Sequence, residues 1–257
     1  PRSTLFPYTT LFRSEELGGH GSTAGAEHDH QHGHEPDHGH DPGGDHHSIT
    51  RWTECLEWYI EASCTEPGKV VAFAVHLTRI ADFRPAVSGI LAVEATKGGR
   101  KISGPSVGLT RPGIFSPSLV FPESGEWTVH FRFSDQAMTD QLEWKLQLTA
   151  AGLSIPSEPS GRGGIRFPKE SQWTIAFATI RPAASKTAGG PGGFLVPTAA
   201  VLRSAGKSSV LIQEEGELFR VQEVTASPVD ETTMRVSQGL DGDERIVLKG
   251  QDSILGR

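Results

Sequence analysis

The chain has 257 residues, with 24 Lys and Arg against 31 Asp and Glu, a formal net charge of −7, and 30 glycines and 17 prolines. That balance excludes the basic stripe a nucleic-acid partner requires, and no apolar run reaches the ~18–20 residues of a membrane-spanning helix. Its two cysteines, Cys55 and Cys64, are too few for a disulfide scaffold or a cysteine-rich metal centre.

Residues 1–14 (PRSTLFPYTTLFRS) have no periodic, capping or targeting pattern. They resemble a translated sequencing-library adapter and are set aside from fold reasoning; a native export signal or anchor is then expected outside this sequence. Residues 15–49 are almost devoid of apolar side chains. They carry His20, His28, His30, His32, His34, His38, His40, His46 and His47, interleaved with Asp29, Asp37, Asp41 and Asp45. Such a segment cannot bury enough surface to offset its ordering entropy and is expected to be disordered without a ligand.

From residue 50 the pattern turns to β. Leu56, Trp58 and Ile60 share one face of an extended segment, and Val70 to Leu77 is a continuous apolar run, as in a strand of a sandwich core. Val87 to Glu94, Gly113 to Phe121, Trp127 to Phe133 and Leu142 to Leu148 supply further strands. Turn signals separate them at Gly98-Gly99, Arg111-Pro112-Gly113 and Glu123-Ser124-Gly125. The expectation is an immunoglobulin-like β-sandwich over 50–155. Linkers and a joining strand follow over 156–193, with Trp173 to Phe177 alternating as a half-buried strand. A small β domain is expected over 194–257, with Glu214-Glu215-Gly216-Glu217 as a hairpin turn and Gly239 to Asp243 as a tight reversal. The fold class is therefore all-β. At about 60 residues the last block is marginal as an independent core.

The histidine run is the strongest chemical signal. Neutral imidazole ligates zinc, cobalt, nickel and copper(II), and neighbouring carboxylates add charge. Residues His28, His30, His32, His34, His38, His40, His46 and His47 are the candidate ligands, able to wrap a divalent transition metal in several overlapping ways. A solvated linker is the plainer reading. A copper(I) or silver(I) site would favour thioethers, yet Met138 and Met234 fall in different blocks; this leans toward zinc first, then cobalt, nickel or cadmium. His76 and His130 lie in strands, where a solvent-facing histidine is the usual outcome. Cys55 and Cys64 flank a nearly straight segment that holds them beyond the roughly 7 Å limit for a bridge. Gly206-Lys207-Ser208 lacks the first glycine and following helix of a phosphate loop. Glu214-Glu215 and Asp243-Glu244 sit in turns as ordinary solvated charge. No catalytic constellation is present.

Several stretches in order are similar to the periplasmic adaptor subunits (membrane fusion proteins of the HlyD and CzcB/CusB-like type) of heavy-metal RND efflux pumps. Ala74 to Pro85 resembles the family's A-x-H-x-T-x-x-x-x-F-x-P segment, and Arg111-Pro112-Gly113-Ile114-Phe115 its R-P-G-I-[FY] turn, with Gly125-Glu126-Trp127 a later turn. Lys169-Glu170-Ser171-Gln172-Trp173 with Phe177-Ala178-Thr179 resembles K-E-x-Q-W…F-A-T. Val196 to Val201 and Gly239 to Val247 resemble two segments of the membrane-proximal domain. The resemblance implies a non-enzymatic, periplasmic, inner-membrane-associated and oligomeric adaptor, working with an RND metal pump and an outer-membrane channel. In that family a β-barrel, a lipoyl-like domain and a long helical hairpin come between these parts; here only Arg181 to Gly193 does. That departure keeps a second reading open, a freestanding periplasmic metal-binding or chaperone β-sandwich.

Overall fold

The computed structural model describes residues 47–66, 70–150, 152–154, 164–185 and 192–257, and its regular structure is nearly all antiparallel β. Alternation sets the first two sheets. One is ordered β1 (His47–Trp52), β2 (Leu56–Glu66), β3 (Val70–Arg79), β7 (Ile114–Phe115) and β6 (Leu109–Arg111), with β8 (Ser118–Val120) also on β3. The other is ordered β11 (Gly152–Ser154), β10 (Thr139–Thr149), β9 (Gly125–Ser134), β4 (Ile90–Lys97) and β5 (Arg100–Ser103). Every second residue of β9 (Trp127, Val129, Phe131, Phe133) is buried and meets Leu56, Trp58, Ile60, Val71, Phe73 and Val75 of the facing sheet in one core. Phe73 meets Phe131 edge to face at 5.2 Å between centroids, and Phe115 meets Phe133 at 5.6 Å, the geometry aromatic quadrupoles prefer. His130, on the other face of β9, pairs with Glu143 across the ladder at 3.1 Å and remains partly exposed.

A third sheet of nine strands runs β13 (Ala178–Ile180), β20 (Arg245–Lys249), β17 (Lys207–Gln213), β18 (Leu218–Pro228), β19 (Thr233–Gln238), β15 (Phe194–Pro197) and β14 (Ala183–Ala184). Two further strands attach to its middle, β12 (Ile165–Arg166) on β18 and β16 (Leu202–Ser204) on β17. The expected turn at Glu214 to Glu217 is present, closed by the Glu214 N–H donating to Leu218 O at 2.9 Å. The segment expected as linker and joining strand thus donates β12, β13 and β14 to this sheet.

Two expectations change. The strand sought over Trp173 to Phe177 is helical at its start: α1 (Lys169–Thr174) opens after Pro168 and closes where Ile175 turns extended. Proline pre-sets the backbone angle at a helix entrance, and Lys169, Gln172 and Trp173, spaced i, i+3, i+4, are all buried. That is helical periodicity carried by a polar face, which a count of apolar residues does not register. In addition, β1 begins at His47, inside the span expected to be disordered. A second short helix, α2 (Gln251–Leu255), follows the third sheet.

The bridge from Arg181 to Gly193 has a definite frame. Ala183 pairs with Leu195 and Ala184 with Phe194, and the Ser185 N–H donates to Gly193 O at 2.8 Å. The chain therefore leaves and re-enters the third sheet on adjacent antiparallel strands. Between ends held this closely, a longer connection adds a loop-closure cost that grows only slowly with its length.

Candidate functional site

The first sheet has a second covered face. Glu57, Tyr59, His76 and Thr78, which alternation directs away from the sandwich core, are at most 5% exposed. What covers them is α1 and the β17–β18 turn, and at this seam the family-like motifs meet.

Lys169 Nζ, fully buried, donates to Glu57 Oε1 at 2.5 Å and to Gln172 Oε1 at 3.0 Å. Gln213 Nε2 donates to the same Glu57 oxygen at 2.7 Å and to Gly216 O at 3.1 Å. Gln172 Nε2 bridges Phe167 O and Gly216 O, both at 2.8 Å, and the Gly216 N–H donates to Thr50 Oγ1 at 2.6 Å. Burial pushes the Lys169 ammonium below the ordinary lysine range, with the Glu57 carboxylate working against that shift. One motif lysine and one motif glutamine thus tie α1 to β2 and to the third sheet at once.

Trp173 seats beside them. Its Nε1 donates to Thr78 Oγ1 at 2.9 Å, and Arg84 Nη1 donates to its carbonyl at 2.5 Å. A Cβ at Gly113, whose φ is 80°, would stand 2.5 Å from the indole ring and 2.7 Å from Pro85 Cβ. The glycine of R-P-G-I-F and the proline of F-x-P therefore form the floor under the tryptophan of K-E-x-Q-W. Phe83 (φ 55°) turns its ring onto Phe177 edge to face at 5.9 Å.

Around His76 lies the chemically unusual part. Its imidazole is set between Tyr59 and Trp173, at 5.3 and 6.1 Å between ring centroids. His76 Nε2 stands 3.5 Å from Glu61 Oε2, and the buried Nδ1 has no hydrogen-bond partner. One ring nitrogen of His76 and one carboxylate oxygen each from Glu170 and Glu217 lie within 4.8 Å of one another, with His76 buried, Glu217 half-buried and Glu170 exposed. Tyr59 Oη donates to Glu61 Oε1 at 3.1 Å, and burial together with Glu217 and Glu61 raises its hydroxyl well above the usual range.

Burial raises the Glu217 carboxyl above the ordinary glutamate range, and Glu61 and Glu170 add to that. The Lys169 N–H, donating to Glu217 Oε1 at 2.7 Å, and His76 oppose it. A carboxyl with a raised folded-state pKa contributes stability that is full below its unfolded value and is lost as pH rises through the folded one. Glu217→Gln keeps an oxygen acceptor for the Lys169 N–H and removes the desolvated charge. With chelator present, this variant is expected to be the more stable at about pH 8, its advantage shrinking toward about pH 4. Denaturant titrations at both pH values check this; equal stability at the higher pH would contradict it.

Of the candidate ligands, His47 lies on β1, paired with Ala62, its Nε2 3.1 Å from Leu153 O. His28, His30, His32, His34, His38, His40 and His46 lie outside the described residues. Cys55, just before β2, is exposed, and Cys64, near the end of β2, is half-buried. Among the described residues no helix is long and apolar enough to cross a membrane. The cluster at His76 was not legible as a site: a strand histidine is expected to face solvent, whereas His76 is buried, and its two carboxylates come from a motif and a turn far away in sequence.

No family model and no curated protein matches the chain. Among solved structures, it is similar to the NMR structure of a 180-residue portion of SilB from Cupriavidus metallidurans CH34, encompassing that protein's N-terminal metal-binding site and membrane proximal domain. Identity is 17% and the TM-score 0.27, over 51% of this chain and 63% of that one. The chain thus covers less than two thirds of that portion, and a superposition of this quality does not establish a shared fold.

Proposed function

We propose that this chain is a non-enzymatic periplasmic adaptor of a heavy-metal cation efflux system, whose histidine-rich arm captures divalent metal for an inner-membrane RND pump. What supports this reading is the seam. Three segments that resemble the adaptor family (A-x-H-x-T-x-x-x-x-F-x-P, R-P-G-I-F and K-E-x-Q-W) are far apart in sequence yet touch one another, through Trp173 on Thr78, Gly113 and Pro85. Unrelated chance similarities would have no reason to converge on one packing unit. Assembly into oligomers and engagement of an outer-membrane channel belong to the same reading. Zinc is the first expected cargo, with cobalt, nickel, cadmium and copper(II) as further ones, because imidazole suits all of them.

The freestanding metal-binding or chaperone reading keeps one observation on its side. The strands either side of the Arg181–Gly193 bridge are already paired, so this body closes without a barrel or helical hairpin between them. Two measurements separate the readings. Loss of the gene is expected to sensitise its host to zinc or cobalt, and the full chain is expected to co-purify with the pump's periplasmic portion. Unaltered tolerance to zinc, cobalt, nickel and cadmium would overturn the efflux reading. Sensitivity without co-purification would favour the freestanding one. For the arm, calorimetry is expected to lose most zinc uptake when residues 28–46 are deleted, and uptake to weaken below about pH 6 as imidazoles protonate; undiminished uptake after the deletion would refute the capture role.

A further inference from the structure

We infer that His76, Glu170 and Glu217 form a built site for one divalent transition cation at the seam, separate from the histidine-rich arm. The inference goes beyond the efflux reading and does not depend on it.

Three observations carry it. The first is the convergence of three donor atoms within 4.8 Å, contributed by β3, α1 and the β17–β18 turn. Ligand atoms of a tetrahedral zinc site stand roughly 3.3–3.6 Å apart around bonds of about 2.0–2.2 Å. Contraction of the three side chains by about an ångström completes the set, with exposed Glu170 having the most room to move.

The second is the state of His76. It is buried with Nδ1 lacking any hydrogen-bond partner, and its Nε2 contact to Glu61, at 3.5 Å, is longer than a good hydrogen bond. A buried polar nitrogen left without a partner is uncommon and asks for one. Tyr59 and Trp173 pack beside the ring and limit its movement.

The third is charge. Glu170 and Glu217 stand beside one imidazole, while the nearby ammonium of Lys169 donates to Glu57 and Gln172 rather than to either of them. A divalent cation held between the two carboxylates would offset their charge. One imidazole with carboxylates suits zinc, cobalt(II), nickel or manganese, and offers nothing soft to copper(I). Because the ligands come from both sides of the seam, an ion here would clamp the two β blocks together, and binding would appear as added stability of the folded body.

The test uses the full-length chain with His20, His28, His30, His32, His34, His38, His40 and His46 replaced by asparagine, so that arm binding does not mask the seam. Zinc titration by calorimetry is expected to give one equivalent per chain, and cobalt(II) a ligand-field absorption band that zinc displaces. Zinc is expected to raise Tm. Glu170→Gln, at an exposed position, should leave the metal-free Tm unchanged and weaken zinc by about tenfold or more; His76→Gln should abolish the cobalt band. If His76→Gln fails to fold, Glu170→Gln decides alone. No saturable uptake up to about 1 mM zinc, or one equivalent bound equally well by the parent and by Glu170→Gln, would overturn the site.

Discussion

Lys169→Ala is expected to cost about 3–5 kcal/mol of folding free energy, because it strands the buried Glu57 carboxylate without its counter-charge. Glu57 and Lys169 are 1% and 0% exposed, so water does not replace the lost partner. Glu57 Oε1 keeps only Gln213, while Glu57 Oε2 has no partner even in the intact seam. Removing both charges is a different matter. In Lys169→Ala with Glu57→Gln, the amide oxygen still accepts from Gln213 and no unpaired charge remains, so the double variant is expected to recover about 2 kcal/mol or more of the loss. A denaturant double-mutant cycle reads the coupling. Hydrogen exchange adds a location: the Gly216 amide, bonded to Thr50 Oγ1 at 2.6 Å, should lose protection in Lys169→Ala before the β9 amides do. A cost under about 1 kcal/mol, or a double variant no better than the single, would show that the pair does not hold the seam.

How much of this was legible depends on what a residue pattern can encode. The alternation of Trp127, Val129, Phe131 and Phe133 announces a strand with one buried face, because period two admits no other placement. The Glu214–Glu217 turn is equally plain from its composition. The seam was hidden for a physical reason. Alternation says that Glu57, Tyr59, His76 and Thr78 leave the sandwich core, but it does not say whether another layer covers the far face. Their polarity argues for solvent, yet hydrogen bonds and pairing across the seam make their burial tolerable. The same reasoning hid α1, whose buried face is Lys169, Gln172 and Trp173. The motifs themselves were visible. What each residue is for became clear only when K-E-x-Q-W lay against A-x-H-x-T.

Trp173→Ala is expected to cost about 3–5 kcal/mol, the range for removing a large buried aromatic whose surroundings collapse only in part. The ring is 8% exposed and touches three separate segments, so no single loop can close over the gap. Trp173→Phe separates packing from polarity: it keeps most of the ring but leaves Thr78 Oγ1, on a residue 1% exposed, without the indole N–H, at about 1–3 kcal/mol. The strongest check is the floor. Gly113→Ala suffers three times in the parent, from a left-handed backbone at φ 80°, from a Cβ 2.5 Å from the indole and from the same Cβ 2.7 Å from Pro85 Cβ. The backbone and Pro85 terms persist when Trp173 is alanine; the indole term vanishes with the ring. Gly113→Ala should therefore be more costly by about 1 kcal/mol or more in the parent than in Trp173→Ala. The same cycle bears on the cation site, since Trp173 flanks the His76 imidazole and its loss should also weaken zinc binding. Additive costs for Gly113→Ala and Trp173→Ala would mean that the tryptophan does not rest on that glycine, and the physical account of the motif's spacing would fail with it.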